Sequence, residues 1–279
     1  MKLTVLLDNN TFIDQYYLGE PGVSYFIEVD GKKVLFDVGY SDAFLTNAQK
    51  AGVELKDTDF VVLSHGHLDH TRGLPYLVSY LQNNDQGEKN TKKATLVTSP
   101  VTFTSRKIKG IREIGPNMTA DSLSEVFELK LSASPVFITE NLVYLGEIPR
   151  VTSFEADKPL GKIVTDRGEK PDFLLDDSAL VYRSKPGLVI ITGCSHSGIC
   201  NIVEHAKKVM KDDRILDIVG GLHLLDPSKP KLSGTLDYLK DLKPKTLHAC
   251  HCTDLRSKIA LANVVKLEDV GSGMVLEYQ

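Results

Sequence analysis

The chain has 279 residues, 42% hydrophobic and 25% charged, an ordinary globular balance that excludes a disordered or fibrous protein. Lys plus Arg number 33 against 37 Asp plus Glu, and the resulting net charge of −4 argues against a protein built mainly to grip nucleic acid. No stretch approaches the roughly 20 apolar residues needed to span a bilayer. The first apolar run, residues 3–7, meets Asp8, Asn9 and Asn10 at once with no small-residue cleavage site, so a cytoplasmic protein without membrane contact is expected.

Strands are expected at residues 2–7, 24–29 and 33–37, with Asp30 and Gly31 as a two-residue hairpin turn. A helix should follow over 42–51 and end at Gly52. Residues 60–63 are continuously apolar, as in a strand buried on both faces. A histidine-rich segment comes next, then a helix over 73–81. The polar stretch 82–93 reads as a solvated connection. Further strands are expected at 95–98, 142–145, 179–183, 188–192, 215–219 and 246–250, with helices over 199–209 and 234–242. Scattered Pro and Gly between about 100 and 171 suggest an excursion covering one edge of a sheet within a single domain spanning 1–279.

The chemistry sits in the histidines. Three of the eight lie within six residues, His65, His67 and His70, with Asp69 among them. Imidazole and carboxylate are preferred ligands of zinc and similar ions. In an extended stretch His65 and His67 point the same way and can share one metal, while the following turn lets Asp69 and His70 face a second. Two more clusters follow apolar strands: Gly193-Cys194-Ser195-His196-Ser197-Gly198, and His248-Ala249-Cys250-His251-Cys252. The turn Cys194–Gly198, with Ser195 inside it, opens a helix whose free N–H groups should attract a substrate anion. Cys250 and Cys252 around His251 also allow a zinc knuckle, although paired Cys-x2-Cys spacing is missing.

The segment Ser64–His70, the pattern His-x-His-x-Asp-His, resembles the metallo-β-lactamase superfamily, as does the strand ending Asp37-Val38-Gly39. Gly146-Glu147-Ile148-Pro149-Arg150, Asp176-Asp177, Thr192–His196, Gly220-Gly221-x-His223 and Cys250–Thr253 are similar to the branch that includes 7,8-dihydropterin-6-yl-methyl-4-(β-D-ribofuranosyl)aminobenzene 5′-phosphate synthase. The resemblance implies a four-layer αββα sandwich with two divalent ions, roughly 3.5–4 Å apart, at one sandwich edge. Zinc is the first expectation, with manganese or iron also compatible with such ligands. By the same resemblance His65, His67 and His196 hold one ion, and Asp69, His70 and His251 the other. Asp176-Asp177 and Cys194 stand where common members have a Gly-His turn and a bridging Asp. Cys194 therefore reads as a bridging thiolate or a buried neighbour, and Asp177 as a ligand or not.

Asp69 is also expected to take a proton in catalysis. His223 reads as an acid, base or substrate contact, or as a structural histidine. Arg150 reads as a clamp for a substrate phosphate or as a surface ion-pair partner. His205 should lie on a helix surface, and His248 in the core or behind the ligands. The implied activity is metal-dependent hydrolysis or group transfer on a phosphorylated or pyrophosphorylated small molecule, by a chain able to form homo-oligomers. A nuclease or phosphodiesterase of the same superfamily, or a redox module holding iron at the same ligands, are the other classes.

Overall fold

Strands that are apolar at every position need both faces covered. The computed structural model, which describes residues 1–84, 93–110, 113–156 and 158–279, supplies that cover with four layers. One sheet has seven strands in the order Val275–Glu277, Lys2–Leu7, Ser24–Val29, Lys32–Phe36, Phe60–Val62, Thr95–Thr98 and Glu128–Leu131. The other has six: Thr246–Cys250, Ile215–Gly221, Leu188–Thr192, Ala179–Arg183, Leu142–Tyr144 and Val136–Phe137.

Side-chain alternation along each strand builds three separate cores. Val34, Phe36, Val62 and Val97 of the first sheet meet Leu180, Tyr182, Val189 and Ile191 of the second between the sheets. Their neighbours Leu35, Val61, Leu63 and Leu96 point outward, under the helices Ala43–Lys50 and Leu74–Asn84. On the far side Val181, Leu188 and Ile190 pack against Ile202, Val203, Leu239 and Leu261 of the helices Ile199–Met210, Lys229–Leu242 and Leu255–Ala262. The result is a layered α/β sandwich, the architecture that the resemblance to the metallo-β-lactamase superfamily implies.

The expected hairpin at Asp30-Gly31 is present. Both residues have positive φ, 50° and 72°, as a two-residue turn whose twist suits its strands requires. Most strands fall within a residue of expectation. The helix expected over 234–242 begins earlier, at Lys229, because Ser228 caps its N-terminus and Pro230 fits the first turn. Of the connection expected over 82–93, residues 82–84 belong to the helix Leu74–Asn84, and 85–92 lie outside the described residues.

Residues 100–171 contribute to the sheets themselves. They carry Glu128–Leu131 at one sheet edge, and Val136–Phe137 with Leu142–Tyr144 at the other. They also form a small sheet, Gly168–Pro171, Lys162–Thr165 and Arg106–Lys107.

Parallel strands leave their carboxyl ends at one edge of the sandwich. Asp37, Ser64-His65, Gly193-Cys194, His223 and His251 all follow strands there. Three of these positions bend sharply, as does Ser195 next to Cys194: Asp37, Ser195, His223 and His251 have φ of 55°, 59°, 50° and 50°. Non-glycine residues in this region are uncommon, and these four lie beside the histidine clusters.

Candidate metal centre

Two groups of side chains converge at this edge. Asp69, His70, Cys194 and His251 form one, and His65, Cys194 and His196 the other, with ligand atoms in each group within 4.8 Å of one another. Cys194 belongs to both. Its Sγ lies 3.2 Å from His70 Nε2 and 3.1 Å from His251 Nε2. His67 stands beside the second group, its Nδ1 3.1 Å from His196 Nε2 and its ring 4.7 Å from that of His65. Of the six ligands expected for two ions, all six meet here, and Cys194 sits between them.

The imidazoles are held so that their Nε2 atoms point inward. His70 Nδ1–H donates to Asp37 Oδ2 at 2.7 Å. His65 Nδ1–H donates to Ser64 Oγ, whose own hydroxyl donates to Asp37 Oδ2 at 2.7 Å. His251 Nδ1–H donates to Asn9 Oδ1 at 2.8 Å. Each bond orients its ring through Nδ1 and leaves Nε2 for the interior, as the partners of metal-binding histidines do. The Nε2 atoms of His65 and His67 are buried without any hydrogen-bond partner. Such orphaned buried nitrogens are costly unless something fills them. Donors of this chemistry and convergence fit divalent cations.

Electrostatics divide the cluster. Burial pushes His65 and His196 well below the usual histidine range and His67 down to about 4, so all three are neutral at pH 7. Burial also opposes charge on His70, but Asp69 and Asp37 outweigh it and raise its pKa to about 9. Burial likewise opposes charge on Asp69, yet His70 and His251 hold its carboxyl well below the usual range. Asp69 Oδ2 lies 3.4 Å from His251 Nε2. Burial raises the Cys194 thiol.

The other expected site residues divide differently. His223 lies at the cluster, its ring 4.2 Å from that of His196, and lines an adjoining cavity. Ser195, expected to touch substrate, is fully buried and donates to the Gly221 carbonyl at 2.6 Å. Asp177 accepts from Ser197 N and Oγ and stands outside both ligand groups, fixing the turn that carries His196. Arg150 belongs to neither ligand group and donates to the carbonyls of Phe173 and Leu174, two residues that line the adjoining cavity. The helix start at Gly198 already holds an anion. The Glu155 carboxylate accepts from the backbone N–H groups of Cys200 and Asn201, so that terminus offers a substrate nothing. Because the cap arrives from more than forty residues upstream, local sequence could not announce it.

His248 is a core residue, paired with Asp217 at 2.9 Å, and Tyr278 donates to the same carboxylate. His205, expected on the surface, is half-buried and bonded to the Leu145 carbonyl. Cys250 faces Tyr25 in the inter-sheet core while Cys252 faces the Cys194 carbonyl, so the two cannot close a knuckle around His251. Asp8, Asn9, Asp37 and Ser64 were not singled out as site residues from sequence. Their signal was position, since each ends or follows a strand at this edge.

Residues 18–251 match the metallo-beta-lactamase superfamily. The chain belongs to that superfamily. Among curated relatives, a 7,8-dihydropterin-6-methyl-4-(beta-D-ribofuranosyl)-aminobenzene-5'-phosphate synthase of Methanocaldococcus jannaschii is 25% identical, across 100% of this chain and 97% of the relative. An uncharacterised protein of the same organism is 28% identical over 94% of each. The crystal structure of Tm1679, described as a metal-dependent hydrolase of the beta-lactamase superfamily, is 29% identical with a TM-score of 0.83, covering 100% of this chain and 99% of that one. No described helix of this superfamily member is long and apolar enough to cross a membrane.

Proposed function

We propose that this chain is a metal-dependent hydrolase or group-transfer enzyme acting on a phosphorylated or pyrophosphorylated small molecule. Two divalent ions, zinc foremost, would be held by His65, His67 and His196 on one side and Asp69, His70 and His251 on the other, with Cys194 between. The observation that carries the substrate reading is the cavity of about 200 Å³ beside the ligands. His196, His223, Lys158 and Lys231 line it together with Pro159, Leu160, Phe173 and Leu174. Cationic and imidazole groups facing an apolar wall suit an anion attached to a flat or apolar body.

Bound divalent ions supply Lewis acidity toward a phosphoryl oxygen and lower the pKa of water. The protein's own groups do the rest. Lys158 and Lys231 offset charge on the phosphoryl group, and Lys231 is steadied by donating to the His223 carbonyl at 2.9 Å. Asp69, held ionised, accepts a proton from the attacking group. His223, whose Nδ1 is buried without a partner, is placed at the cavity wall to deliver one to the leaving oxygen. Leu160, Phe173 and Leu174 form the apolar part of the cavity lining. The synthase-named relative supports transfer, and the hydrolase-named structure supports hydrolysis.

The test is metal analysis of protein purified without added metal, followed by kcat/KM for a matched diphosphate, phosphodiester, lactone and aryl ester. Two ions per chain, preference for the phosphorylated compounds and competitive inhibition by pyrophosphate are expected. Preference for the lactone without phosphate inhibition overturns the substrate reading.

A further inference from the structure

The largest fully buried side chain is a cation, Arg106, only 1% exposed and outside both ligand groups. An isolated buried charge is very costly, and this one is met by two carboxylates. Its Nε lies 2.9 Å from Asp172 Oδ2, and its Nη2 lies 2.8 Å from Asp176 Oδ2. Nη1 donates to the Thr102 carbonyl at 3.2 Å.

Each carboxylate reaches onward in a different direction. The same Asp176 Oδ2 accepts from the backbone N–H of Gly66, between His65 and His67, at 2.8 Å. The guanidinium packs so closely on Gly66 that a Cβ there would overlap Arg106 Nη1 and the Thr102 carbonyl. The Arg106 carbonyl accepts from Ile114 N, and the Ile114 carbonyl accepts from Leu68 N, so the histidine loop is braced on its other side too. In the opposite direction Asp172 Oδ1 accepts from Leu174 N at 2.8 Å, and its backbone bonds Leu160 and Gly161. Leu160 and Leu174 are walls of the cavity.

We infer that Arg106 is a positioning residue that ties the histidine loop of the metal centre to the wall of the substrate cavity, through Asp176 on one side and Asp172 on the other. This rests on the proposed metal-dependent function. A planar guanidinium holds its donors in a fixed fork that reaches Asp172, Asp176 and the Thr102 carbonyl in separate directions, a spread the compact ammonium of lysine does not reproduce.

Stepwise Zn²⁺ titration with a chromogenic chelator, pyrophosphate binding and thermal melting on the full chain test it. Asp176→Asn is expected to weaken one of the two Zn²⁺ steps about tenfold or more, the magnitude typical of partners behind metal ligands. The other Zn²⁺ step should change less than about twofold, because Asp176 touches no residue of the Asp69 group. Asp172→Asn should leave both Zn²⁺ steps in place and weaken pyrophosphate several-fold. Arg106→Lys, which keeps the charge, should show both losses.

Zn²⁺ steps that are unchanged in Asp176→Asn, or weakened equally with a drop in melting temperature, overturn the inference and reduce Arg106 to a core ion pair. A wild-type chain that takes up no Zn²⁺ overturns the metal reading itself. The two failures are therefore separable.

Discussion

The two halves of the ligand cluster reach a similar geometry by opposite electrostatic routes. The His65, His67 and His196 half is buried and neutral, its nitrogens kept unprotonated by loss of solvent. The Asp69, His70 and His251 half is charged and compensated, with Asp37 and Asp69 raising His70 to about 9. Neutral donors are ready for a cation at any ordinary pH. The compensated half must first give up protons. In the proposed centre one half is preorganised by desolvation, and occupancy of the other would answer to pH.

Removing the group shared by the halves should have the largest effect. Cys194→Ser is expected to lower occupancy of both ions, by more than tenfold in affinity, whereas His196→Ala should empty only one. Metal analysis after dialysis against a weak chelator distinguishes them, and a serine variant that keeps both ions would show that the halves are independent. Next in size is removal of a single support. Asp37→Asn takes the anion from behind His70 and Ser64, and a loss of 10–100-fold in affinity is expected, as for other partners of metal ligands.

The pH difference can be read directly. In metal-free protein His70 is protonated to about 9, against an unfolded value near 6.5. Its raised pKa stabilises the fold fully below about pH 6.5, and that contribution fades as pH rises through 9. Binding an ion at the Asp69 half should release protons at pH 7, from His70 and from the Cys194 thiol when that thiol serves this ion, while the histidine half should release none from its imidazoles. Calorimetric titration in buffers of differing ionisation enthalpy measures this. Equal proton release in both steps would erase the distinction. The smallest expected effect belongs to Arg150→Ala. Since Arg150 holds the Phe173 and Leu174 carbonyls, its loss should weaken pyrophosphate binding a few-fold and leave both metal steps unchanged.

Much of this was legible in sequence because it was local. Runs such as Leu188–Thr192, apolar at every position, require cover on both faces. His65, His67, Asp69 and His70 fall within one turn after such a run, so strand and ligands were read together. The strands Arg106–Lys107 and Val136–Phe137 have two residues each, too few for any period to show. Long-range polar partners were equally hidden. Glu155 fills a helix start that looked vacant, and Arg106 stands in an irregular stretch with no motif around it. The carbonyl partners of Arg150 were hidden for a related reason. A guanidinium suits carbonyls as well as phosphates, and only the fold decides which is in reach.

The contact between Gly66 and Arg106 also limits how this protein can vary. The loop residue between the two histidines has no room for a methyl group while a guanidinium lies across it. Any side chain at position 66 therefore requires both a shorter residue at 106 and a shift of the Thr102 carbonyl, and a shorter residue at 106 leaves Asp172 and Asp176 as unpaired buried charges. Four positions on three segments are thus bound into one unit of inheritance. Relatives should change them together or not at all, so aligned sequences in which position 66 is larger should also lack the buried cation and its two acids.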